Sequence, residues 1–161
     1  MKTNAVLIAA LGLMFQGVAT GQGTLVYDQQ SASGGLASGG ARIASQQPLG
    51  QSFTPALSGV GFVQFQFGDF AGNLGATVSV NLREASIMGN VLATTAPVFM
   101  SNGYRGTATF YFNNNVLVAP GVTYYFQPTL ISGDDTDVMG DLYDYRGGTL
   151  YSQGLATLLP A

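Results

Sequence analysis

Residues 107–131, TATFYFNNNVLVAPGVTYYFQPTLI, decide the fold of this chain. Two runs of aromatic and β-branched residues flank a connection with three asparagines and a Pro-Gly pair, a composition that favours two extended strands joined by a loop. The pattern predicts a β-hairpin. Because side chains alternate along a strand, one face of this hairpin is apolar and consists of Ala108, Phe110, Phe112, Val122, Tyr124 and Phe126.

The opposite face of the hairpin is rich in hydroxyl groups and consists of Thr107, Thr109, Tyr111, Thr123, Tyr125 and Gln127. An apolar face of this kind needs a second sheet to cover it, while the tyrosine-bearing face stays in water. The stretch therefore predicts one half of a β-sandwich.

The rest of the chain shows the same alternation. Residues 76–83 place Ala76, Val78, Val80 and Leu82 inward, and residues 60–67 place Val63, Phe65 and Phe67 on one face and Phe62, Gln64 and Gln66 on the other. Shorter strands are predicted at residues 24–28, 50–53, 91–94, 98–100, 137–143 and 149–151, and a flexible loop at residues 29–40.

No stretch after residue 21 has the apolar spacing of a helix, so helices should be nearly absent. Eight to ten short strands separated by Gly, Pro and Asn turns predict an all-β, antiparallel β-sandwich that is jelly-roll-like. An up-and-down barrel is the alternative.

The N-terminus has the pattern of a secretory signal peptide over residues 1–21. Lys2 precedes an apolar, helix-forming run at residues 5–15, and small residues follow up to Gly21. The run is too short to span a bilayer. We therefore expect a single domain at residues 22–161, without a membrane span after cleavage, that is secreted, periplasmic or held at the cell surface.

The composition excludes several functional classes. The chain has no cysteine and no histidine, a formal net charge of −3 and only 8% charged residues. Nucleic-acid binding is not expected, because neutralising phosphates takes clustered Lys and Arg. Catalysis is not expected either, because the usual bases and nucleophiles are missing. What remains is a carboxylate-only polysaccharide hydrolase, but the one glutamate, Glu84, is more simply a surface charge at a strand end.

An acidic cluster is the candidate metal site. Hard Ca²⁺ is bound by six to eight oxygens, and Asp134, Asp135, Asp137 and Asp141 lie close together in the sequence. An EF-hand is excluded, because Met139 and Arg146 occupy positions that need oxygen ligands. The alternatives are an irregular calcium loop and a solvated acidic loop that Arg146 partly neutralises.

Four tyrosines are the candidate ligand-binding residues, namely Tyr111, Tyr125, Tyr143 and Tyr145. A tyrosine offers an apolar ring that stacks on a sugar and a polar tip that binds its hydroxyls. The alternative is that these rings only fill the sandwich and its rim. The sequence thus predicts an exported binding or structural surface module, with a glycan or another cell-surface polymer as the candidate ligand.

The order of segments also resembles a known family. GQSFTPALSGVGFVQFQF, ATVSVNLRE, VLATTAPV, TATFYF, APGVTYYFQ and YRGGTLYSQG, within residues 49–154, are similar to secreted bacterial β-sandwich domains of mostly unassigned function, often in proteins with a C-terminal sorting motif. Members of that family continue into one more strand, whereas residues 155–161 offer at most a short substitute. The C-terminal sorting motif is not found in this sequence. The resemblance therefore implies an open sheet edge, and the alternatives are that copies of the chain self-associate through it or that the monomer is marginally stable and prone to aggregate.

Overall fold

The computed structural model describes residues 25–29, 39–140, 150–152 and 155–157. These ranges contain no helix, and no helical segment in them could span a membrane. The predicted signal peptide lies outside the described residues. The strands are β1 (Gly39–Arg42), β2 (Gly50–Phe53), β3 (Gly59–Gly68), β4 (Ala76–Glu84), β5 (Val91–Thr94), β6 (Val98–Met100), β7 (Arg105–Leu117), β8 (Tyr124–Gly133), β9 (Asp137–Gly140), β10 (Leu150–Ser152) and β11 (Leu155–Thr157).

The strands form two antiparallel sheets. Sheet A has the order β1-β9-β3-β7, and sheet B has the order β11-β10-β2-β8-β4-β5, with β6 also paired to β4. Both sheets contribute to one hydrophobic core, as in a β-sandwich. The prediction of an all-β, antiparallel architecture is confirmed for the described residues.

The predicted hairpin of residues 107–131 is wrong. β7 pairs with β3 in sheet A, whereas β8 pairs with β4 and β2 in sheet B. The intervening segment crosses from one sheet to the other and turns at Gly121, which has a φ of 78° and whose N–H donates to Pro55 O at 2.9 Å. A hairpin and a crossing bury the same apolar faces, so alternation alone did not distinguish them.

The inward faces, in contrast, were predicted correctly apart from Val122. Phe110, Phe112, Tyr124 and Phe126 are buried from opposite sheets, while Val122 is exposed because it lies in the crossing segment. All four inward residues predicted for β4 are buried as well: Ala76, Val78, Val80 and Leu82. Within sheet B, Phe53 stacks on Phe126 with ring centroids 4.2 Å apart, and across the core Phe65 of sheet A meets Phe126 edge-on at 6.4 Å.

The three asparagines predicted as a hairpin connection lie within β7. Val60 pairs with Val116, and Phe62 pairs with Tyr111, so residues 113–115 bulge out of the ladder with β3. Near this bulge, residues 92–94 of β5 and 112–116 of β7 line a groove of about 350 Å³. The groove marks the side of the sandwich where the edge strands of the two sheets meet.

The ends of the described chain also differ in part from the predictions. Residues 25–28 are not a strand, and β1 begins inside the segment that was predicted as a loop. β11 pairs with β10, so the short substitute strand is present and becomes the edge of sheet B.

Candidate binding surface

The outer face of sheet A carries a regular set of paired side chains. Neighbouring residues of β3 and β7 face each other in three cross-strand pairs, which are Phe62 with Tyr111, Gln64 with Thr109, and Gln66 with Thr107. They point away from the core because Val63, Phe67, Ala108 and Phe110, which alternate with them, are buried. We call these six residues, together with Tyr27, the sheet A platform.

One end of the platform is aromatic. The ring of Tyr27 meets Phe62 edge-on with a centroid distance of 5.3 Å, and Phe62 lies 6.2 Å from Tyr111. Tyr27 and Tyr111 remain 57% and 52% exposed. Three aromatic rings therefore form a continuous cluster that is open to solvent.

The segment carrying Tyr27 is fixed to the sandwich by Asp28. Its Oδ2 accepts hydrogen bonds from Ala56 N–H at 2.8 Å and from Leu57 N–H at 3.3 Å. Gln29 Nε2 donates to Thr54 O. These contacts hold Tyr27 against a sheet that is distant in the sequence, which is why sequence reasoning did not identify it as a site residue.

The middle of the platform is polar and uncharged. Tyr27 Oη donates to Gln64 Oε1 at 3.1 Å, and Gln64 Nε2 donates to Thr109 Oγ1 at 2.8 Å. This chain of hydrogen bonds orients the amide and the two hydroxyls beside the aromatic cluster. Such groups both donate and accept, as binding to the hydroxyls of a ligand requires.

The predicted tyrosine sites are separated by the fold. Tyr111 belongs to the sheet A platform, but Tyr125 lies on the outer face of sheet B, where its register partners are Ser52 and Arg83. Their predicted common face is wrong for the same reason as the hairpin. Tyr143 and Tyr145 lie outside the described residues.

The outer face of sheet B is covered beside Tyr125. Gln127 was predicted to face water but is only 6% exposed. Its Nε2 donates to Gln47 Oε1 at 2.8 Å, and its Oε1 accepts from Arg83 Nε at 2.6 Å. Gln47 in turn donates to Pro128 O at 2.9 Å, so the loop before β2 is bound to the sheet here.

Two of the predicted metal-binding aspartates bind backbone amides. Asp134 Oδ2 accepts from Leu74 N–H at 2.7 Å and from Gly75 N–H at 3.1 Å. The carboxylate of Asp135 accepts from Ala44 N–H at 2.6 Å and from Ser45 N–H at 3.2 Å. The two side chains thus hold two different loops.

Asp137 lies on the outer side of β9, where its Oδ1 is 3.9 Å from Arg42 Nε. Burial raises the pKa of Asp137 above its ordinary value, and the charges of Asp135 and Asp69 add to this, while Arg42 opposes it. Among the described residues, no group of three or more His, Cys, Asp and Glu side chains is placed to hold a metal ion. Asp141 lies outside them, and the calcium loop stays a prediction.

Glu84 stands at the end of β4, as expected for a strand-end charge. Its Oε1 accepts from Asn90 Nδ2 at 3.1 Å. The turn that follows is tight, because a Cβ atom at Gly89 would lie 1.8 Å from Glu84 O. The contact links the two ends of the connection between β4 and β5.

Comparison with known proteins finds no matching family model, no matching curated protein and no matching solved structure. The resemblance to secreted bacterial β-sandwich domains therefore stays a prediction, and the proposals below rest on the geometry of this chain.

Proposed function

We propose that this protein is an exported, non-catalytic module that binds neutral glycans on the sheet A platform. Export through residues 1–21 and a jelly-roll-like arrangement of the sandwich belong to this proposal. The observation that carries it is the exposed cluster of Tyr27, Phe62 and Tyr111 beside the oriented side chains of Gln64 and Thr109.

The chemistry of the platform supports a sugar ligand. Aromatic rings contribute apolar area and present a flat face on which a sugar ring stacks, while neighbouring amides and hydroxyls bind its hydroxyl groups. The polar side chains beside the rings, Gln64, Thr109, Gln66 and Thr107, are uncharged. An uncharged platform on an acidic protein favours a neutral ligand over a polyanion, which the net charge would repel.

The test is a glycan array followed by titration calorimetry on the glycans that bind. We expect Phe62→Ala and Tyr111→Ala each to lower affinity by about tenfold, which corresponds to about 1.4 kcal/mol. The matched control is Phe99→Ala. Phe99 is also exposed, but its register partner Thr77 places it on the outer face of sheet B. Equal losses in all three variants, or no glycan bound by the wild type, would contradict the proposal.

A further inference from the structure

A further exposed aromatic ring, that of Phe70, lies on the same face of sheet A, at the opposite end of β3 from the aromatic cluster. Gly68 pairs with Arg105 at this end, and it points outward because its neighbour Phe67 is fully buried. A Cβ atom at Gly68 would lie 2.3 Å from Phe70 Cε2 and 3.0 Å from Met139 Sδ. The ring of Phe70 therefore occupies the space that Gly68 leaves open on the sheet.

The position of this ring is further fixed by Arg105. The guanidinium carbon lies 4.5 Å from the ring centroid of Phe70, which is within the range of a cation–π contact. Phe70 is nevertheless 51% exposed. An exposed aromatic side chain that packs against Gly68 and contacts Arg105 is oriented before any ligand arrives, which lowers the entropy lost on binding.

The two aromatic ends are too far apart to contact one small ligand. Gly68 lies six positions after Phe62 along β3, which corresponds to about 20 Å at ~3.3 Å per residue. The pairs of Gln64 with Thr109 and Gln66 with Thr107 lie between the ends. Only a ligand that extends along the strands contacts the aromatic cluster, Phe70 and the polar side chains between them.

The distribution of charge restricts the ligand further. Charged side chains occur beside Phe70, where Arg105 stacks on the ring and Arg42 pairs with Asp137. None of the six cross-strand platform residues is charged. A long ligand therefore lies mostly against neutral amides and hydroxyls, which matches an uncharged polysaccharide and leaves the charges of a polyanion without partners along the platform.

From these observations, and on the basis of the proposed function, we infer that Phe70 forms a second subsite and that the ligand is an extended neutral polysaccharide lying parallel to β3 and β7. Tyr27, Phe62 and Tyr111 bind one sugar unit, and Phe70 binds another unit several residues along the same chain. The polar pairs bind the hydroxyls of the units between them.

The experiment compares disaccharides and hexasaccharides of cellulose, xylan and β-mannan by titration calorimetry. We expect a hexasaccharide to bind more tightly than the disaccharide of the same sugar, because it contacts both the aromatic cluster and Phe70. Phe70→Ala should lower hexasaccharide affinity by about tenfold and leave disaccharide affinity unchanged. Phe62→Ala should lower both affinities, and the control Phe99→Ala should change neither.

A second variant tests the position of the ring without removing it. Gly68→Ala displaces Phe70 from the sheet and should reproduce the loss seen for Phe70→Ala, with thermal melts confirming that both variants fold. Equal affinity for the two ligand lengths, or an unchanged hexasaccharide affinity in Phe70→Ala, would overturn the second subsite while the proposed function stands. No binding of any oligosaccharide by the wild type would overturn the proposed function and this inference together.

Discussion

At the scale of single residues, most aspartates of the described part of the chain accept hydrogen bonds from main-chain N–H groups. The carboxylates of Asp28, Asp134 and Asp135 each accept two main-chain N–H groups. Asp69 is buried, and its Oδ2 accepts from Gly103 N–H at 3.0 Å. Charge-assisted bonds of this type are stronger than neutral ones. They fix the loops that carry Ala56, Gly75, Ala44 and Gly103 to the rest of the sandwich.

Asp137 is the exception among these residues and leads to a prediction on pH. Because burial raises its pKa, the folded state holds its proton more tightly than the unfolded state does. The stability that this group contributes is therefore lost as pH rises from its ordinary pKa of 3.8 through the raised value. We expect Asp137→Asn to raise the Tm at neutral pH and to change it little below that ordinary pKa.

Arg42→Gln is the matched control for Asp137→Asn. Arg42 opposes the rise in the pKa of Asp137, so its loss should lower the Tm at neutral pH. The effect should be small, because its side chain is 54% exposed. Thermal melts across the pH range measure both changes. A neutral-pH Tm for Asp137→Asn below that of the wild type would contradict the assignment.

At the scale of elements, the loop before β4 and the turn after β8 form one unit. Asp134 N–H donates to Gly75 O at 2.7 Å, while its side chain binds Leu74 and Gly75. Gly72, with a φ of 93°, leaves room for the carboxylate, since a Cβ atom there would lie 2.1 Å from Asp134 Cγ. This close approach explains a glycine at this position.

Asp134→Ala should destabilise this unit even without metal. We expect a loss of about 0.5–1.5 kcal/mol in the free energy of unfolding, because the bond from Leu74 is exposed and the bond from Gly75 is only part-buried; denaturant unfolding in EDTA would measure it. Melts of the wild type in calcium and in EDTA then test the predicted calcium loop. If the folded protein binds calcium, a calcium concentration of ~100 times the dissociation constant raises its free energy of unfolding by about 2.7 kcal/mol. If the free energy of unfolding of Asp134→Ala in EDTA equals that of the wild type, the structural role of this carboxylate is contradicted.

Another element shows how a proline is accommodated in an interior strand. Pro128 lies in β8 opposite Val80, where an amide donor is normally needed. The N–H of Val80 instead donates to Thr95 Oγ1 at 2.9 Å, and its C=O accepts from Thr95 N–H at 3.0 Å. Both backbone groups of Val80 therefore pair with Thr95, which lies between β5 and β6. The missing N–H of Pro128 leaves neither of them without a partner.

At the scale of the whole molecule, the crossing between β7 and β8 places Tyr111 on the outer face of sheet A and Tyr125 on the outer face of sheet B. The absence of cysteine makes this arrangement testable with engineered disulfides. A Gln66→Cys and Thr107→Cys pair should oxidise, because these residues are register partners on one face. A Tyr111→Cys and Tyr125→Cys pair should not, because packed sheets lie about 10 Å apart and a disulfide needs Cα atoms within about 7 Å.

Mass spectrometry after mild oxidation of the monomer reads out both pairs. A disulfide between positions 111 and 125 would contradict the crossing and support the predicted hairpin, in which both tyrosines lie on one face.

Sedimentation of the wild type at several concentrations tests the separate prediction of self-association. β11 now forms the edge of sheet B, so pairing between copies would begin there.

The class of fold and the inward faces were determined by the sequence itself. Val78, Val80, Phe110 and Phe126 are buried as predicted, because alternation is a local property of an extended chain and each strand carries it independently. Tyr111, Phe62 and Gln64 were likewise identified as outward-facing. The tertiary structure alone decided which strands pair, since either pairing buries the same faces. It also brought Tyr27 onto Phe62, buried Gln127 under Gln47 and paired Asp134 with Leu74. These contacts join residues far apart in the chain, and no local pattern encodes them.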